Sequence, residues 1–587
     1  MIQLINTFLY QVNIKWKKFD PMDVLSASCH TLNILENEKA IIEQKRQEDR
    51  FKEIIQSCQS LSHYEGKKFK TLLPQILAAI LSATFNIVYG VSLAYSAILI
   101  PQLNETQYSS NATDDSILRV TESDFSWIAS VLVVIAPFGS IAGGFMMDAI
   151  GRLRLIFLAA IPSVLGWLLI ATATNVPMMI VGRLLTGIAS TWGASPAMVY
   201  ITEIARADMR GSLISVAPAF CSLGMVLAYL KGWFIDWRTI AWICVGYSII
   251  PAVAVLFIPE SPPWLVSKGK LKKAKRGLDW INRFQPQPLE KVETFSDMQL
   301  ASLQKEHLLK MQERAQITKR SLRDKARMFC EPTAYKPLLI LTGLFVFQQF
   351  SGTYITLFYA VSFFEEVGTE INPFLASIYL GMVRFGMSMV NTWLMKRFPR
   401  RTLLTVSALG MAACMGVSGL FTRWIHDGTT THTWVPVLML VIYVITSMIG
   451  LLSIPWTIIA ELFPLAIRGI AHSIVYSLAN LIMFAAIQCY FDLEKLLGGS
   501  SGVQFFFGIV SLGGLVYSYV FLPETHRMKL SDIEKYFLKH TTYLSLSSEK
   551  KKRMQQVQRR PIVRNKSKGE LKTIHEQSEK MIVREDV

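Results

Sequence analysis

Apolar residues in this chain are gathered into long runs, and this distribution constrains the fold more than any other feature of the sequence. Each run has the length of about 18–25 residues that an α-helix needs to cross a hydrocarbon core of roughly 30 Å. The chain is only 18% charged, whereas a soluble domain is usually about 25% charged. The runs are residues 74–100, 126–149, 155–174, 177–202, 212–232, 240–258, 337–363, 373–395, 403–422, 434–459, 470–490 and 502–522. They predict an all-α polytopic membrane protein with twelve transmembrane helices in two six-helix bundles.

Positive charge is concentrated in two places outside the runs. Seventeen Lys and Arg residues lie between Val266 and Lys336, and sixteen more follow Thr525. Because basic residues accumulate on the cytosolic side of membrane proteins, both termini and the central loop are predicted to be cytosolic. The segments predicted to face outward contain few basic residues, namely Arg119, Lys231, Arg238, Arg423 and Lys495. The net charge of +17 is thus explained by topology, and we predict no nucleic-acid partner.

The runs and the charges together divide the chain into five segments. They are a cytosolic tail at 1–71, an N-terminal six-helix bundle at 72–258, a basic linker at 259–336, a C-terminal six-helix bundle at 337–525 and a basic tail at 526–587. The first tail lacks the residue order of a cleavable signal peptide. The last tail carries Lys550-Lys551-Lys552-Arg553, which is either solvated or in contact with anionic lipid headgroups.

The predicted loop from Pro101 to Asp124 contains two glycosylation sequons, at Asn104 and Asn111. The charge rule independently places this loop outside the cell, where glycosylation takes place. We therefore expect the protein at the plasma membrane.

No sequence pattern indicates a cofactor, a metal site or catalysis. The seven cysteines include no CxxC spacing, and none lies clearly in an outward loop. The sequence also contains no recognisable nucleophile and base pair, so we predict that the chain is not an enzyme. The sequence does not indicate an oligomeric state.

Short charged motifs occur twice, about 250–265 residues apart. Glu203 is followed seven residues later by Arg210, and Glu461 is followed seven residues later by Arg468. Pro259-Glu260-Ser261 recurs as Pro523-Glu524-Thr525, and Gly151-Arg152 has a counterpart in Arg400-Arg401. Parallel repeats of six helices with a central site near the midplane are typical of carriers that work by alternating access.

Paired charges at a membrane boundary cost less than unpaired ones, and pairs can form in one conformation and separate in another. We therefore interpret the repeated charges as conformational latches. For the turn that contains Asp148 and Arg152, a simple basic turn is the alternative. The predicted latch residues are Asp148, Arg152, Glu203, Arg210, Glu260, Arg400, Glu461 and Arg468.

Eight short motifs are spread over residues 74 to about 535. They are Ser126-Trp127-Ile128, Gly151-Arg152, Gly182-Arg183, Glu203 through Gly211, Pro259-Glu260-Ser261-Pro262, Gln348-Gln349-Phe350-Ser351-Gly352, Pro455-Trp456 and Pro523-Glu524-Thr525. Their combination resembles the sugar porter family of the major facilitator superfamily, and within it the insect facilitated trehalose transporter-like proteins. The resemblance implies the major facilitator fold and transport of a mono- or disaccharide. It also implies an outer gate at Phe358 and Tyr359 and a sugar contact at Trp456.

The residues themselves also favour a sugar site. Gln349, Thr353 and Thr356 share one face of the predicted seventh helix, and Gln348 lies beside them. Amide groups can pair with adjacent sugar hydroxyls, and an indole offers a flat face to the sugar C–H groups. Pro455 is expected to break the tenth helix just before Trp456. For each Gln, an interhelical hydrogen bond is the alternative.

Several positions depart from the pattern of the resembled family. Tyr354 and Arg384 stand where that family has Asn, Pro218 stands where it has Gln, and Ala479-Asn480 replaces an Asn-Trp pair. An unpaired cation at mid-depth costs at least about 2.5 kcal/mol. Arg384 is therefore expected either to contact a polar or anionic substrate group or to extend towards the outer surface.

The coupling mechanism is predicted from the first and fourth helices. Proton-driven members of the resembled family pair an Asp in the first helix with an Arg in the fourth. Here Ser92 lies near the first position, whereas Arg183 is retained as a structural or gating charge. Without a titratable carboxylate there is no obvious proton relay. We predict facilitative transport of a sugar such as trehalose or a hexose, with a carrier of another polar or anionic solute and a non-transporting sugar sensor as the alternatives.

Overall fold

The computed structural model describes residues 69–109, 119–206, 209–285, 294–318, 329, 331–366, 372–463, 468–525, 533 and 536–538. Two compact units are distinguished. The smaller comprises 1–72 and 282–298, of which the described residues are 69–72, 282–285 and 294–298. The larger comprises 73–281 and 299–587 and contains both sets of membrane helices.

Six long helices form the N-terminal half and six form the C-terminal half. The first six are α1 (Phe69–Ala83 and Phe85–Ser109), α2 (Glu122–Val134 and Ala136–Ile150), α3 (Arg152–Ala171), α4 (Val176–Ile204), α5 (Arg210–Ile214 and Val216–Phe234) and α6 (Trp237–Ala254). The others are α7 (Pro332–Phe350, Ile355–Phe358 and Ala360–Glu366), α8 (Pro373–Arg397), α9 (Arg400–His426), α10 (Trp434–Ile449 and Ile454–Leu462), α11 (Arg468–Gln488, followed by Tyr490–Leu497) and α12 (Ser500–Phe521). In the described part of the linker, three helices follow α6 in the chain, at Pro262–Ser267, Leu271–Ile281 and Phe295–Thr318.

Ten of the described helical stretches are long and apolar enough to cross a membrane. The two long helices outside this set are α4 and α7, which carry polar side chains within their apolar sequences. Arg183 lies within the apolar sequence of α4, which is a continuous helix. In α7, Gln348 and Gln349 precede a break in the helix. The predicted all-helical membrane fold is confirmed.

The pattern of packing repeats between the halves. Within the N-terminal half α1 packs on α5, α2 on α4, and α3 on both α4 and α6. The equivalent pairs in the C-terminal half are α7 with α11, α8 with α10, and α9 with both α10 and α12. The halves meet mainly where α2 packs on α11 and where α5 packs on α8. In the repeat, α2 corresponds to α8 and α5 corresponds to α11, so these two contacts are equivalent to each other. The interface is therefore itself pseudo-symmetric.

Helix starts on the two sides of the membrane are stabilised differently. On the predicted outer side, Thr121, Asn175 and Asp236 accept hydrogen bonds from backbone N–H groups in the first turns of α2, α4 and α6. On the predicted cytosolic side, carboxylates from segments distant in the chain accept these hydrogen bonds. Glu260 accepts from the first N–H groups of α3, and Glu524 accepts from those of α9.

Three expectations about helix boundaries were wrong. The first helix does not end at Pro101 but continues to Ser109, so Asn104 lies exposed on a helix rather than in a loop. Asn111 lies outside the described residues. The seventh helix begins at Pro332 and is interrupted at 351–354. The tenth helix breaks at 450–453, before Pro455, which instead occupies the first turn of the second segment, where proline needs no hydrogen-bond partner.

Candidate functional site

The breaks in α7 and α10 lie against each other and exchange hydrogen bonds. The side-chain amide nitrogen of Gln348 in α7 donates to the carbonyls of Leu451 and Leu452 in the break of α10, both at 2.8 Å. In return the Tyr443 hydroxyl of α10 donates to the Ser351 carbonyl in the break of α7 at 2.7 Å. Buried carbonyls freed by a helix break need such partners. The two breaks are thus structurally interdependent.

This arrangement changes the interpretation of Gln348 and Thr353. Both amide hydrogens of Gln348 are used by α10, which is the interhelical hydrogen bond considered as its alternative. The hydroxyl of Thr353 donates to the Gln348 carbonyl at 2.9 Å, and that of Thr356 donates to the Gly352 carbonyl at 2.9 Å. The expected continuous stripe of Gln349, Thr353 and Thr356 is wrong, because Gly352, at φ +92°, turns the chain out of the helix.

Gln349 is buried completely and retains a free acceptor. Its amide nitrogen donates to the side-chain oxygen of Gln348 at 3.2 Å. Its own side-chain oxygen has no hydrogen-bond partner within the described part of the chain. A buried amide oxygen without a partner costs about 1–3 kcal/mol. This atom is therefore well suited to accept a hydrogen bond from a ligand hydroxyl.

Aromatic rings from both halves surround the same region. Trp456, the first aromatic after the α10 break, lies with its ring centroid 4.7 Å from that of Phe345 and 5.9 Å from that of Tyr476. Tyr354 of α7 and Tyr89 of α1 are near enough to interact electrostatically with Tyr476 of α11. Asn480 is 5% exposed and donates to the Tyr476 carbonyl at 2.8 Å, within its own helix.

Arg384 lies inside the protein, between the two halves. The side chain belongs to α8 and is only 5% exposed, so it does not extend to the outer surface. Its guanidinium interacts electrostatically with Cys221 and Tyr229 of α5 and with Tyr354 and Tyr443 of the C-terminal half. One terminal nitrogen, Nη1, has no hydrogen-bond partner among the described residues. A buried donor is thus available on α8, as a buried acceptor is available at Gln349 on α7.

Arg183 of α4 differs from Arg384 in donating hydrogen bonds to two backbone carbonyls, although its Nη2 likewise has no partner among the described residues. The side chain is fully buried, and it donates to the Ser92 carbonyl at 2.6 Å and to the Ile128 carbonyl at 3.1 Å. Its guanidinium also lies 5.9 Å from the centre of the Tyr95 ring. Arg183 therefore ties α4 to α1 and α2.

Sequence reasoning missed three of the residues in the central region. Tyr89, Tyr229 and Tyr476 lie within apolar runs, where an aromatic residue is usual. Nothing in their local sequence separates them from residues that face lipid. Only the packing of α1, α5 and α11 brings their hydroxyl groups to the centre.

The charges at the predicted cytosolic end of the N-terminal half form one network. Arg152 donates to both carboxylate oxygens of Glu203, at 3.0 and 2.8 Å, and to the Met147 carbonyl at 3.3 Å. Ser261 donates to the same Glu203 carboxylate. Glu260 accepts from the backbone N–H groups of Arg152, at 3.1 Å, and of Ser261, at 3.0 Å. The network joins the ends of α2, α3, α4 and α6.

The C-terminal half repeats this network residue for residue. Arg400 donates to Glu461 at 3.0 Å and also to the Met395 carbonyl. Thr525 donates to Glu461, as Ser261 does to Glu203. Glu524 accepts from the backbone N–H of Arg400 at 3.0 Å. All of these contacts lie within one half.

The other expected latch residues are less tightly held. Asp148 is 77% exposed at its side chain and lies 3.6 Å from Arg152. Arg210 is exposed at the start of α5. Arg468 begins α11, but its side chain lies outside the described residues.

Contacts between the halves are found at the predicted outer ends of the helices. Glu122, at the start of α2, forms an ion pair with Lys495, beyond the end of α11. The hydrogen bond that the Lys495 ammonium donates to Glu122 raises the pKa of this exposed lysine. Deeper along the same helices the ring centroids of Trp127 and Phe484 are 5.7 Å apart. Next to them, Ser130 donates to the Gln488 side-chain oxygen at 3.0 Å.

The interrupted end of α7 also contributes to this outer closure. Tyr229 of α5 donates to the Leu357 carbonyl at 3.2 Å, across the two halves. Tyr359 is buried and stacks on Tyr490, with ring centroids 4.9 Å apart. The outer entrance between the halves is therefore closed by α2, α5, α7 and α11.

Breaking the Glu122–Lys495 ion pair is expected to open the outer entrance more often. Exposed ion pairs stabilise only weakly, so Glu122→Gln should raise the population of the outward-open state by no more than about fivefold. The measurement is the rate at which a membrane-impermeant thiol reagent modifies Ser130→Cys from outside, in a Cys489→Ser background. The charge-swapped variant Glu122→Lys/Lys495→Glu should restore slow labelling. An unchanged labelling rate in Glu122→Gln would contradict the proposed closure.

Comparisons with known proteins agree with this architecture. The family model described as "Sugar (and other) transporter" matches residues 75–537. The facilitated trehalose transporter Tret1 of Polypedilum vanderplanki is 31% identical over 466 residues, covering 78% of this chain and 87% of the relative. Tret1 of Apis mellifera ligustica is 31% identical over 465 residues, covering 79% and 88%.

Solved structures show the same fold. The inward-open conformation of the xylose transporter XylE from E. coli superposes with a TM-score of 0.62 at 20% identity, covering 78% of this chain and 98% of that one. The proton:xylose symporter XylE bound to 6-bromo-6-deoxy-D-glucose gives a TM-score of 0.58 at 20% identity, covering 80% and 99%. The match of the family model over most of the chain, together with relatives at 31% identity, shows that this chain belongs to the sugar (and other) transporter family and is a multi-pass major facilitator carrier rather than an enzyme.

Proposed function

We propose that the protein carries a sugar, either trehalose or a hexose, down its concentration gradient by alternating access. The observation that carries this proposal is the pair of hydrogen-bonded breaks in α7 and α10, which leaves the buried Gln349 side-chain oxygen without a partner among the described residues. The names of the relatives support trehalose in particular, because both are facilitated trehalose transporters.

The proposed sugar contacts come from both sides of the central region. Gln349 accepts a hydrogen bond from a sugar hydroxyl, Arg384 donates one through Nη1, and Trp456 packs against the sugar C–H face. Tyr354 and Asn480 complete the polar lining. Gln348 and Thr353 act on the sugar indirectly, because they hold the α7 break in place.

The charge networks serve as latches in this proposal. The pairs Arg152–Glu203 and Arg400–Glu461 keep the cytosolic ends of each half together while the halves move as units. Arg210, Arg468 and Asp148 change partners when the cytosolic side closes. At the other end, the Glu122–Lys495 pair and Tyr359 open and close the outer entrance.

Uniport is favoured by the surroundings of Arg183. Its two described hydrogen bonds go to backbone carbonyls, and Ser92 rather than an acid occupies the nearby position on α1. A carrier without a carboxylate at this point has no group there that takes up and releases a proton.

We further propose that both termini are cytosolic and that the protein is located in the plasma membrane. The positive-inside bias supports the orientation. Asn104 is exposed on the last turns of α1, towards its predicted outer end, where a glycan is accessible to the glycosylation machinery.

A second candidate substrate is a polar solute with an anionic group. The observation that favours it is the buried, incompletely paired guanidinium of Arg384. Arginine binds carboxylates and phosphates with two parallel hydrogen bonds, more strongly than it binds neutral hydroxyls.

Uptake of radiolabelled trehalose and glucose, in cells that lack endogenous sugar carriers, tests the proposal. Uptake should saturate and should not depend on external pH. Gln349→Ala should reduce it by about tenfold or more, the cost of a lost buried hydrogen bond of roughly 1–3 kcal/mol. The control is Thr172→Ala, an exposed residue at the end of α3, which contributes none of the proposed contacts. If neither sugar is taken up although the protein reaches the surface, the sugar assignment is wrong, and a parallel panel of anionic solutes identifies the second candidate.

A further inference from the structure

A cavity of about 440 Å³ opens at the cytosolic end of the N-terminal half, well away from the central region. It lies where α3 begins, where α6 ends, and beside the first two linker helices. Four basic side chains line it, namely Arg154, Lys270, Lys273 and Arg276. Neither the sugar site nor the latch networks use any of these four side chains.

The local sequence explains why these cations converge. Lys270, Lys273 and Arg276 are three residues apart, so they project from one side of the linker helix Leu271–Ile281. The other side of this helix buries Ala274 and Leu278. Its amphipathic character therefore holds the basic side towards the cavity. Arg154 comes from the first turn of α3 and faces them.

Only one acid lines the cavity, and its charge is already in use. Glu260 accepts hydrogen bonds from the backbone N–H groups of Arg152, Leu153 and Ser261. Within the described residues, none of the four cations takes part in an ion pair. The cavity is thus lined by four positive charges and one negative charge. Such a lining is best suited to an anion with several charged oxygens.

The rim of the cavity is apolar and lies at the membrane boundary. Leu256 and Phe257 end the sixth apolar stretch and are 67% and 71% exposed. Trp264 lies deeper, with the Lys270 ammonium 5.6 Å from the centre of its ring. An occupant that is anionic at one end and apolar at the other contacts both parts. A soluble anion contacts only the basic part.

We propose that this cavity binds the headgroup of an anionic phospholipid from the cytosolic leaflet. The phosphates of the headgroup contact Lys273, Arg276, Lys270 and Arg154, and the start of its acyl chains packs on Leu256 and Phe257. Basic pockets at the cytosolic ends of transmembrane helices are suited to such lipids, since the leaflet itself is negatively charged. The bound lipid bridges α3, α6 and the linker helix next to the Arg152–Glu203 network.

The test compares two double variants of the full-length protein that lose the same charge. Lys273→Gln/Arg276→Gln removes two cations from the cavity. Lys268→Gln/Lys272→Gln removes two exposed cations from the same segment that do not line it. The probe is phosphatidylinositol bisphosphate in phosphatidylcholine nanodiscs, and the readout is its binding by native mass spectrometry. A second readout is thermal stability with and without the probe.

The cavity variant should bind the probe about tenfold or more weakly, while the control variant should bind it like the unaltered protein. Equal losses in both variants would overturn the proposal, because they would indicate general attraction to the basic linker. The water-soluble inositol trisphosphate headgroup should bind much more weakly than the lipid. If it binds as tightly, the ligand is a soluble phosphate and the lipid assignment is wrong. Both readouts are independent of sugar uptake, so failure here leaves the proposed transport activity untouched.

Discussion

Arg152→Ala is expected to abolish sugar uptake and to lower the thermal stability of the purified protein. The side chain of Arg152 is 10% exposed and that of Glu203 is 20% exposed, so the substitution leaves an unpaired carboxylate in a partly buried position. Removing one partner of a buried ion pair costs about 3–5 kcal/mol. The measurements are uptake per surface molecule and the unfolding temperature in detergent.

The double variant Arg152→Ala/Glu203→Ala distinguishes an unpaired charge from lost packing. It leaves no uncompensated carboxylate and should recover part of the lost stability. Arg400→Ala, the equivalent change in the C-terminal half, should have a smaller effect, because Arg400 makes one described hydrogen bond to its Glu461 partner where Arg152 makes two to Glu203. Equal stability of the single and double variants at position 152 would show that the charge pairing is unimportant.

Arg384→Leu is expected to weaken substrate binding by roughly ten- to a hundredfold without lowering the stability of the fold. A hydrogen bond to a charged group contributes about 1.5–3 kcal/mol to binding. Removing an incompletely paired cation from the interior, in contrast, relieves a cost of about 2.5 kcal/mol or more. The apparent affinity for the transported sugar should therefore fall while the unfolding temperature stays constant or rises. Uptake kinetics and thermal unfolding measure the two effects separately.

The matched control is Arg183→Leu, which removes another arginine from the interior of the membrane helices. This side chain is bound by the carbonyls of Ser92 and Ile128, so its loss leaves buried acceptors unpaired and should lower the unfolding temperature. If Arg384→Leu behaves in the same way, with unchanged affinity and reduced stability, then Arg384 is structural and the central region binds its substrate without it.

The number and approximate length of the membrane helices could be predicted from the sequence, whereas their orientation stays a prediction. A hydrocarbon core requires about 20 consecutive apolar residues for each crossing, and the insertion machinery retains basic loops in the cytosol. Both requirements act on local stretches of sequence. The internal repeat was equally visible, since Glu203 and Glu461 have the same neighbours in the two halves.

The details of the central region could not be predicted in this way. Gln348 and Gln349 are adjacent and chemically identical, yet one holds the α10 break and the other retains a free oxygen. The difference depends on which backbone carbonyls α10 presents to them. Likewise, the sequence does not show whether the Arg384 side chain extends to the surface or stays inside. In the structure it is buried between α5, α7 and α10.

Sequence alone therefore determined that this chain is a membrane carrier with two related halves, because the bilayer imposes the same length and polarity on every helix that crosses it. The tertiary structure decided where α7 and α10 break, which charges pair, and which polar atoms remain free. Those outcomes depend on contacts between helices that are far apart in the chain. The physical reason is that a buried polar group is stable only with a partner, and only the packed structure supplies that partner.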